Sequence, residues 1–473
     1  MNRLKKMIAA FALVALLGQG CTKGVSSEAK ALSQKKSLTI WSVIDDDIPY
    51  QSMLTDLRRK YPYATISFKR FRLEEYETQL LNAFAEDRGP DIFMVHNTWI
   101  GKYLPKIQPQ PPRVKVAEQV VTGTVKKEAT LAVQESATIT VNGLKKEFVD
   151  AVPGDVIRKI DVSTDPLKQD FQERIMALPI SVDTLALYYN KDLLNSAGIS
   201  NPPQTWGQFQ EQVKKLALID AQGKVLRAGA GFGTGANVER SPDIVSLLMM
   251  QNRSVMADDA GYPQFSRIPE ELHNQVESPP SFDALRFYTD FANPEKDVYT
   301  WNLDQPNSLE AFTQGTSAFF LGYSYHLPTI RAQAPKLNIG ITQVPQIENT
   351  PQVNYANYWA WTVSKKSKSV DLAWKVVNIM TSAEQADKYL TSAKRPPARR
   401  SLIDARLDDA DVGVFTSQVL TAKSWYHGVD PDTMEQAMMD MIDVVVKGEL
   451  EISKAVNDAV GKIGQTINRP TTQ

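Results

Sequence analysis

Cysteine is almost absent from this chain of 473 residues, which contains a single one, Cys21. One thiol cannot form an intramolecular disulfide, and a chain of this length does not need cross-links to fold. Histidine is also scarce, with 4 residues that form neither an HExxH pattern nor a close pair. The sequence therefore argues against a zinc site, and we expect no metal and no other cofactor.

An excess of charge of one sign is missing as well, because 53 Lys and Arg balance 54 Asp and Glu. Nucleic-acid binding favours a basic surface, so we expect no nucleic-acid partner. Beyond residue 21 no apolar run approaches the about 20 residues that span a bilayer. We find no internal repeats, which argues against an adhesive surface protein. The length predicts two or three domains, and a hydrophobic content of 42% is enough for sizeable cores.

What is present first is an export signal at residues 1–21. Positive residues near the start precede an apolar run at residues 7–17 that is too short for a membrane helix. Cys21 at its end resembles the lipobox cysteine of bacterial lipoproteins, which is acylated and becomes the new N-terminus. Ordinary cleavage with an incidental cysteine is the alternative, since Gly18 stands where the lipobox prefers Leu. Residues 22–37 are small and polar, which predicts a flexible tether.

From residue 37 onward, strand patterns alternate with helix patterns. We predict strands at 37–43, 64–71 and 91–95, and helices at 50–61 and 74–87. This order indicates an α/β fold with a parallel sheet, in which ligands bind beyond the carboxyl ends of the strands. Polar and aromatic residues directly follow two predicted strands: Asp45, Asp46, His96, Asn97 and Trp99.

Six short phrases follow one another along the rest of the chain. They are EDRGPDIF at 86–93, LPISVD with LYYNKDL at 178–193, AGI with PPQTW at 197–206, FTQGTSAFF at 312–320, YWAWTVSK at 358–365 and PARRS at 397–401. Their wording and order resemble the bacterial extracellular solute-binding proteins of ABC importers, especially the sugar-binding group that includes maltose-binding protein. The resemblance covers nearly all of the mature chain.

The resemblance implies a two-lobed fold of the type II periplasmic-binding-protein class, with a hinge of crossing strands and the ligand in the cleft between the lobes. It places crossings near 180–186, 310–320 and 355–365. The N-terminal lobe would comprise 38–182 and 318–358, and the C-terminal lobe 183–317 and 359–473. It further implies a monomer without enzymatic activity that delivers its ligand to the subunits of a membrane permease.

Residues 104–150 depart from the family pattern. Much of this segment is rich in Val and Thr, and Asn142-Gly143 is a signal for a hairpin turn. We interpret the segment as an insertion with β structure in the N-terminal lobe. A mobile surface loop and a small docking element are the alternatives.

Aromatic rings at strand ends and in loops are typical of sugar sites, because ring faces pack on the C–H faces of sugars while polar groups bind the hydroxyls. The aromatic candidates for ligand contact are Trp41, Trp99, Tyr323, Tyr325, Trp359 and Trp425, and the polar candidates are Asp45, Asp46, His96, Asn97, Asp183 and Asn357. The alternative is that these rings pack in a core and that the aspartates cap helices.

The predicted function is that of a lipid-anchored receptor at the outer face of the cytoplasmic membrane, which captures a sugar or oligosaccharide for an ABC permease. A secreted glycoside hydrolase or another carbohydrate-active surface lipoprotein is the alternative. A hydrolase needs two carboxyl groups about 5–9.5 Å apart. The aspartates at 45–47 could supply one of them, and the sequence identifies no partner.

Overall fold

The computed structural model describes residues 26–45, 47–122, 128–163, 165 and 167–467. The export signal with Cys21, and Asp46, lie outside these ranges. The helices are α1 Ser27–Leu32, α2 Gln51–Lys60, α3 Leu73–Ala85, α4 Ile100–Tyr103, α5 Val141–Glu147, α6 Ala151–Val156, α7 Lys191–Ser196, α8 Trp206–Leu216, α9 Ser241–Gln251, α10 Pro280–Asp290, α11 Ser308–Thr313, α12 His326–Gln333, α13 Val370–Met380, α14 Ala383–Ala393, α15 Gly413–Thr416, α16 Pro431–Val446 and α17 Ile452–Gly464. Short 3₁₀ turns lie at Ile48–Tyr50, Asn97–Trp99, Leu104–Lys106, Glu270–Leu272, Arg400–Leu402 and Asp404–Arg406.

The strands build two larger sheets and three small ones. They are β1 Lys36–Ser42, β2 Ala64–Arg70, β3 Ile92–His96, β4 Arg113–Thr122, β5 Glu128–Ala137, β6 Ile157–Asp161, β7 Phe171–Ile175, β8 Leu178–Pro179, β9 Asp183–Thr184, β10 Ala186–Asn190, β11 Leu218–Ile219, β12 Val225–Ala230, β13 Ser317–Gly322, β14 Ile339–Gln343, β15 Asn354–Asn357, β16 Trp359–Val363 and β17 Ala422–Lys423.

The first lobe is built on a sheet with the order β2-β1-β3-β16-β8. Strands β1, β2 and β3 run parallel, and β16 joins β3 in antiparallel register, with Trp359 opposite His96. The first four residues of β3 are buried, as expected for a strand that helices cover on both faces. Helix α3 buries Tyr76, Leu80 and Phe84 at intervals of four residues against this sheet. The predicted strands and helices of this region are thereby confirmed to within two residues.

The second lobe is built on a sheet with the order β11-β12-β13-β10-β14 and has its own hydrophobic core. A third sheet, β17-β15-β9, lies where the chain passes between the lobes. The two-lobed α/β fold with crossing strands is therefore confirmed.

Two of the predicted crossings are observed, and one is not. Val182 belongs to the first core and Leu185 to the second, and the chain returns to the first core between Tyr355 and Ala356. A crossing at 310–320 is wrong, because β13 pairs with β12 and β10 inside the second lobe. The last passage instead lies between residues 403 and 425, a stretch in which Phe415 packs with second-lobe residues while Val419 and Ala422 still pack with the first core.

The predicted lobe boundaries change with these crossings. Segment 318–358 belongs almost entirely to the second lobe, and β16 with α13 and α14 belongs to the first. The first lobe therefore comprises about 36–182 and 356–403, and the second about 185–355 and 425–467. An apolar pattern such as that of β13 indicates a buried strand but does not say which sheet it joins.

The segment 104–150 contains an antiparallel hairpin of β4 and β5. Asn142-Gly143, predicted as a hairpin turn, lies instead in α5, where the hydroxyl of Thr140 caps the helix by accepting from the Gly143 amide at 3.0 Å. The predicted flexible tether at 22–37 is also wrong in its described part, since α1 and the start of β1 fall within it. In the described part of the chain no helix has the length and apolar character needed to cross a bilayer.

Candidate functional site

The two lobes enclose a cavity of about 360 Å³ between the carboxyl end of β3 and the start of α16. From the first lobe it is lined by Val43, Ile44, Tyr50, Leu73, Met94, His96, Trp99, Ile180, Ser181, Tyr358, Trp359, Trp361, Tyr389 and Arg395. From the hinge and the second lobe come Asp183, Glu239, Arg240, Tyr325, Asn357, Pro431, Asp432 and Glu435. The first wall is mainly aromatic and aliphatic, and the second is mainly charged.

Two indole rings form the centre of the first wall. The rings of Trp99 and Trp359 meet edge to face, with their centroids 5.1 Å apart. Tyr76 supports Trp359 from behind at 5.9 Å, and Tyr103 stacks on Trp99 at 5.8 Å. Both indoles are only partly buried, so each is fixed by packing while it still presents surface to the cavity.

His96 stands beside these rings in one defined tautomer. Its Nε2 lies 3.2 Å from Oδ1 of Asn357, which can only accept, and the Asn357 amide nitrogen donates to Asp243 at 3.4 Å. Nε2 therefore carries the proton, and Nδ1 accepts from the hydroxyl of Thr98 at 2.8 Å. Burial lowers the pKa of His96, and the nearby Arg240 lowers it further, so the ring is neutral.

Arg240 dominates the second wall. Its guanidinium donates to both carboxylate oxygens of Asp243 at 2.9 Å and to Glu435 at 2.8 Å. Burial alone would lower the pKa of Arg240, but the two carboxylates outweigh it and hold that pKa above its ordinary value. The backbone of Arg240 has a φ of +56°, directly before α9, and this places its side chain between the two acids. The group is a permanently charged, oriented donor at the cavity wall.

Asp183 lies at the hinge with its carboxylate already engaged. It accepts from the Ser324 hydroxyl at 2.6 Å and from the Ser324 amide at 3.0 Å. Burial raises the pKa of Asp183, and the bonds from Ser324 oppose that shift. Asp183 thus joins the first crossing strand to the loop before α12, while it also lines the cavity.

Tyr325 lines the cavity, and the buried ring of Tyr323 packs against the ring of Tyr325. Their rings stack at 5.4 Å with an angle of 17°. Tyr323 is fully buried and donates its hydroxyl to Asp243 at 2.7 Å. Of this predicted pair, only Tyr325 is placed to meet a ligand.

Other predicted contacts lie away from the cavity. Trp41 is partly buried and packs against the ring of Phe71 at 4.5 Å. Asn97 is buried and donates to Asp155 at 3.3 Å. Trp425 is buried in the second core and donates to Ser246 at 3.1 Å. Ligand contact by Trp41, Asn97 and Trp425 is therefore not supported, because none of the three lines the cavity.

Asp45 has an indirect place at the site. Its carboxylate accepts from Arg395 at 2.6 Å and from the hydroxyl of Tyr389, and both of these partners line the cavity. The backbone of Asp45 has a φ of +55°, which turns the chain just after β1. Asp45 therefore holds the cavity wall instead of facing the ligand itself. Among the described residues, no group of three or more His, Cys, Asp or Glu is arranged to hold a metal ion.

The charged half of the wall contains residues that the sequence did not predict as ligand contacts. Arg240, Glu435 and Arg395 come from three distant parts of the chain, and none follows a predicted strand end. The only available signal was the position of Arg395 beside the PARRS phrase.

The family described as bacterial extracellular solute-binding proteins matches residues 49–387. The chain belongs to this family. Proteins of the family bind solutes without converting them, so the glycoside hydrolase alternative is not supported. Asp45, one of the three aspartates considered for it, is held by Arg395.

Several proteins with similar sequences are named for the solutes or the transport system that they serve. This solute-binding protein is 23% identical over 350 residues to the galactooligosaccharide-binding protein of Bacillus subtilis, across 71% of this chain and 76% of that one. It is 22% identical to the maltooligosaccharide ABC transporter solute-binding lipoprotein of Streptococcus pneumoniae, across 66% and 70%. The putative binding protein of Brucella abortus is 22% identical over 256 residues, which are 52% of this chain and 56% of that relative, so the match spans about half of its length.

Solved structures share the fold at low sequence identity. The cyclo/maltodextrin-binding protein complexed with maltotetraose aligns with a TM-score of 0.66 at 15% identity, over 92% of this chain and 98% of that one. The maltose-binding protein of Listeria monocytogenes in complex with maltose aligns with a TM-score of 0.64 at 15% identity, over 93% and 100%. At these identities the likeness concerns the fold.

Proposed function

We propose that this solute-binding protein captures a sugar or an oligosaccharide between its lobes and delivers it to the permease of an ABC importer. The observation that carries the proposal is the contrast between the two cavity walls. Indole rings on the first lobe face a charged, hydrogen-bonding group on the second.

The two walls match the two kinds of surface on a pyranose ring. Trp359 and Trp99 offer apolar ring surface to the C–H faces, which removes area from water. Arg240 and Glu435 offer oriented donors and acceptors to the hydroxyl groups. A ligand that used both walls would touch both lobes at once.

Contact with both lobes supplies the mechanism of capture. A ligand that binds the closed arrangement better than the open one shifts the population toward closure by its difference in affinity. Delivery then requires only that a permease recognise the closed pair of lobes. The protein acts as a monomer in this scheme, because one chain contributes both walls.

The names of relatives support the substrate class. The Bacillus subtilis relative is named for galactooligosaccharides and the Streptococcus pneumoniae relative for maltooligosaccharides. Two proteins of the same fold were solved with maltotetraose and with maltose. We assign oligosaccharides to this chain as a class and leave the sugar unit open.

Export and anchoring are part of the proposal. Cys21 would be acylated after cleavage and would hold the protein at the outer face of the cytoplasmic membrane. The Streptococcus pneumoniae relative is named a lipoprotein. Intact-mass measurement of the protein from cell membranes tests this step, since a mature chain with a free N-terminus and no added lipid mass would contradict it.

Native mass spectrometry of protein purified gently from cells tests the substrate class, because it weighs any solute that remains bound. A panel of maltooligosaccharides and galactooligosaccharides in a thermal melt provides the second test. A ligand that binds only the folded state stabilises it by about 2.7 kcal/mol at 100 times its dissociation constant. A co-purified non-sugar solute, or no stabilisation by any member of the panel, would overturn the assignment.

A further inference from the structure

The hairpin of β4 and β5 is firmly attached to the first lobe. Val114, Val116 and Ala117 on β4 are buried, and the hydroxyl of Tyr63 donates to the Ala117 carbonyl at 2.8 Å. The backbone amide of Lys115 donates to Asp371 in α13 at 3.0 Å. Strand β4 of the hairpin is therefore packed as a part of the first lobe.

A buried charge cluster at Glu118, on the face that Val114 and Val116 share, also fixes this strand. The carboxylate of Glu118 lies 3.1 Å from Lys60 and 3.3 Å from Lys375, and it accepts from the Tyr61 hydroxyl at 3.0 Å. Burial alone would raise the pKa of Glu118, but the two lysines outweigh it and the pKa is lowered. The cluster joins β4 to α2 and to α13.

The N-terminal helix α1 lies on this hairpin. It contacts both β4 and β5, with Ala29 only 1% exposed, while Leu32 packs against the core of the first lobe. Glu28 forms an ion pair with Lys115 of β4. A helix of 6 residues does not persist alone in water, so these contacts are what hold it.

Docking of α1 shortens the reach of the chain from the predicted lipid anchor. From Cys21 to Ser26 five residues span at most about 18 Å, whatever their conformation. If α1 were detached, the free chain from Cys21 to Lys36 would span up to about 50 Å. The docked helix therefore limits how far the first lobe can move from its anchoring point.

We propose that the hairpin is a platform that docks α1 and thereby turns the hairpin side of the first lobe toward a lipid bilayer. The partner surface is the membrane that holds the acyl chains of Cys21, and the occupant of the platform is the chain's own segment Ser27–Leu32. This orienting role goes beyond ligand capture. It depends on Cys21 as the attachment point and not on the identity of the ligand.

The test uses the mature chain coupled through its only thiol, Cys21, to a maleimide lipid in a supported bilayer. Neutron reflectometry then gives the distance of the protein layer from the membrane. Ala29→Glu places an unpaired charge in the buried contact of α1, and Ala31→Glu makes the same change at an exposed position of the same helix. We expect wild type and Ala31→Glu to form a thin layer next to the bilayer, and Ala29→Glu to form a broader layer farther out.

Hydrogen exchange in solution checks the docking itself. The hydrogen-bonded amides of Ala29, Lys30 and Ser33 should be protected in wild type and in Ala31→Glu, and they should lose protection in Ala29→Glu while the sheet of the first lobe keeps its own. Unprotected exchange of α1 in wild type would overturn the proposal, and so would identical layers for all three proteins. Saccharide affinity of Ala29→Glu should equal that of wild type, so a failure of sugar binding in all three proteins contradicts the proposed function instead.

Discussion

Trp359 is the single residue on which ligand contact depends most. Its indole is only partly buried, and it meets the rings of Trp99 and His96 at 5.1 and 5.3 Å. We expect Trp359→Ala to weaken saccharide binding at least tenfold, about 1.4 kcal/mol, because it removes the central ring of the apolar wall. Titration calorimetry measures the loss, and chemical denaturation checks that the fold survives.

Trp425→Ala is the matched control. The same truncation there empties a buried site in the second core, which should cost about 3–5 kcal/mol of unfolding free energy. Binding by the fraction that remains folded should be nearly unchanged. Equal losses of binding and stability in both variants would mean that Trp359 is a packing residue as well.

His96 predicts a dependence of stability on pH. Its pKa is lowered in the folded state, so below the ordinary value near 6.5 the unfolded chain binds a proton that the folded chain does not. Stability therefore rises with pH between the lowered pKa and about 6.5, and it falls by up to about 1.4 kcal/mol per pH unit on acidification through that window.

Denaturant unfolding at about pH 7.5 and about pH 5.5 measures this effect against the ordinary pKa of histidine. His96→Gln should reduce the loss of stability on acidification, whereas His273→Gln at an exposed position should leave it unchanged. The same loss in wild type and in His96→Gln would contradict a neutral, partly buried His96.

Individual site residues could be predicted from the sequence where they follow a strand locally. His96 and Trp99 were predicted because His96 ends β3 and Trp99 closely follows it, and both line the cavity. Arg240 and Glu435 were not found, because they meet only through the folding of α9 against α16. Trp425 was misplaced, because a loop position does not reveal whether the ring is covered.

At the scale of elements, α4 makes a close contact with the second lobe. A methyl group on Gly101 would lie 2.2 Å from the carbonyl oxygen of Gly428 in the second lobe. Gly101→Ala should therefore hinder closure and weaken saccharide binding about tenfold or more, because relief of such a clash typically costs about 1–3 kcal/mol. Calorimetry at constant protein concentration measures the affinity.

Gly461→Ala is the control for replacing glycine by alanine within a helix. It lies in α17, where an added methyl group would meet nothing within 4 Å. This change should leave affinity unchanged and stabilise the fold by about 0.4–1 kcal/mol. If Gly101→Ala bound as tightly as wild type, the contact between α4 and Gly428 would not belong to the ligand-bound state.

Helices and strands with a regular apolar pattern could be predicted from the sequence. Elements that form only through contacts with distant segments could not. Strands β1 to β3 follow from short apolar or alternating runs, and the helices between them follow from apolar residues at helical spacing. Asn142-Gly143 was predicted as a hairpin turn but lies in a helix, because the hydroxyl of Thr140 caps the helix there. Helix α1 gives no signal of its own, because a short polar segment becomes helical only through its contact with the hairpin.

At the scale of the whole molecule, direct bonds join the lobes at the rim of the cavity. Lys102 on the first lobe pairs with Asp432 on the second at 2.9 Å, and His427 on the second lobe lies 2.9 Å from Asp155 on the first. These bonds belong to a closed arrangement and would be lost on opening. A ligand in the cavity adds to them, so its binding energy should favour closure.

Small-angle X-ray scattering with and without a saccharide tests most directly whether the lobes close on a sugar. For a maltooligosaccharide or galactooligosaccharide that raises the melting temperature, we predict a smaller radius of gyration in the bound state for wild type and for Gly461→Ala. The decrease should be reduced in Trp359→Ala at the same saccharide concentration. Saturating binding with no change in the radius of gyration, or no binding of any saccharide in the panel, would contradict a receptor that closes on a sugar.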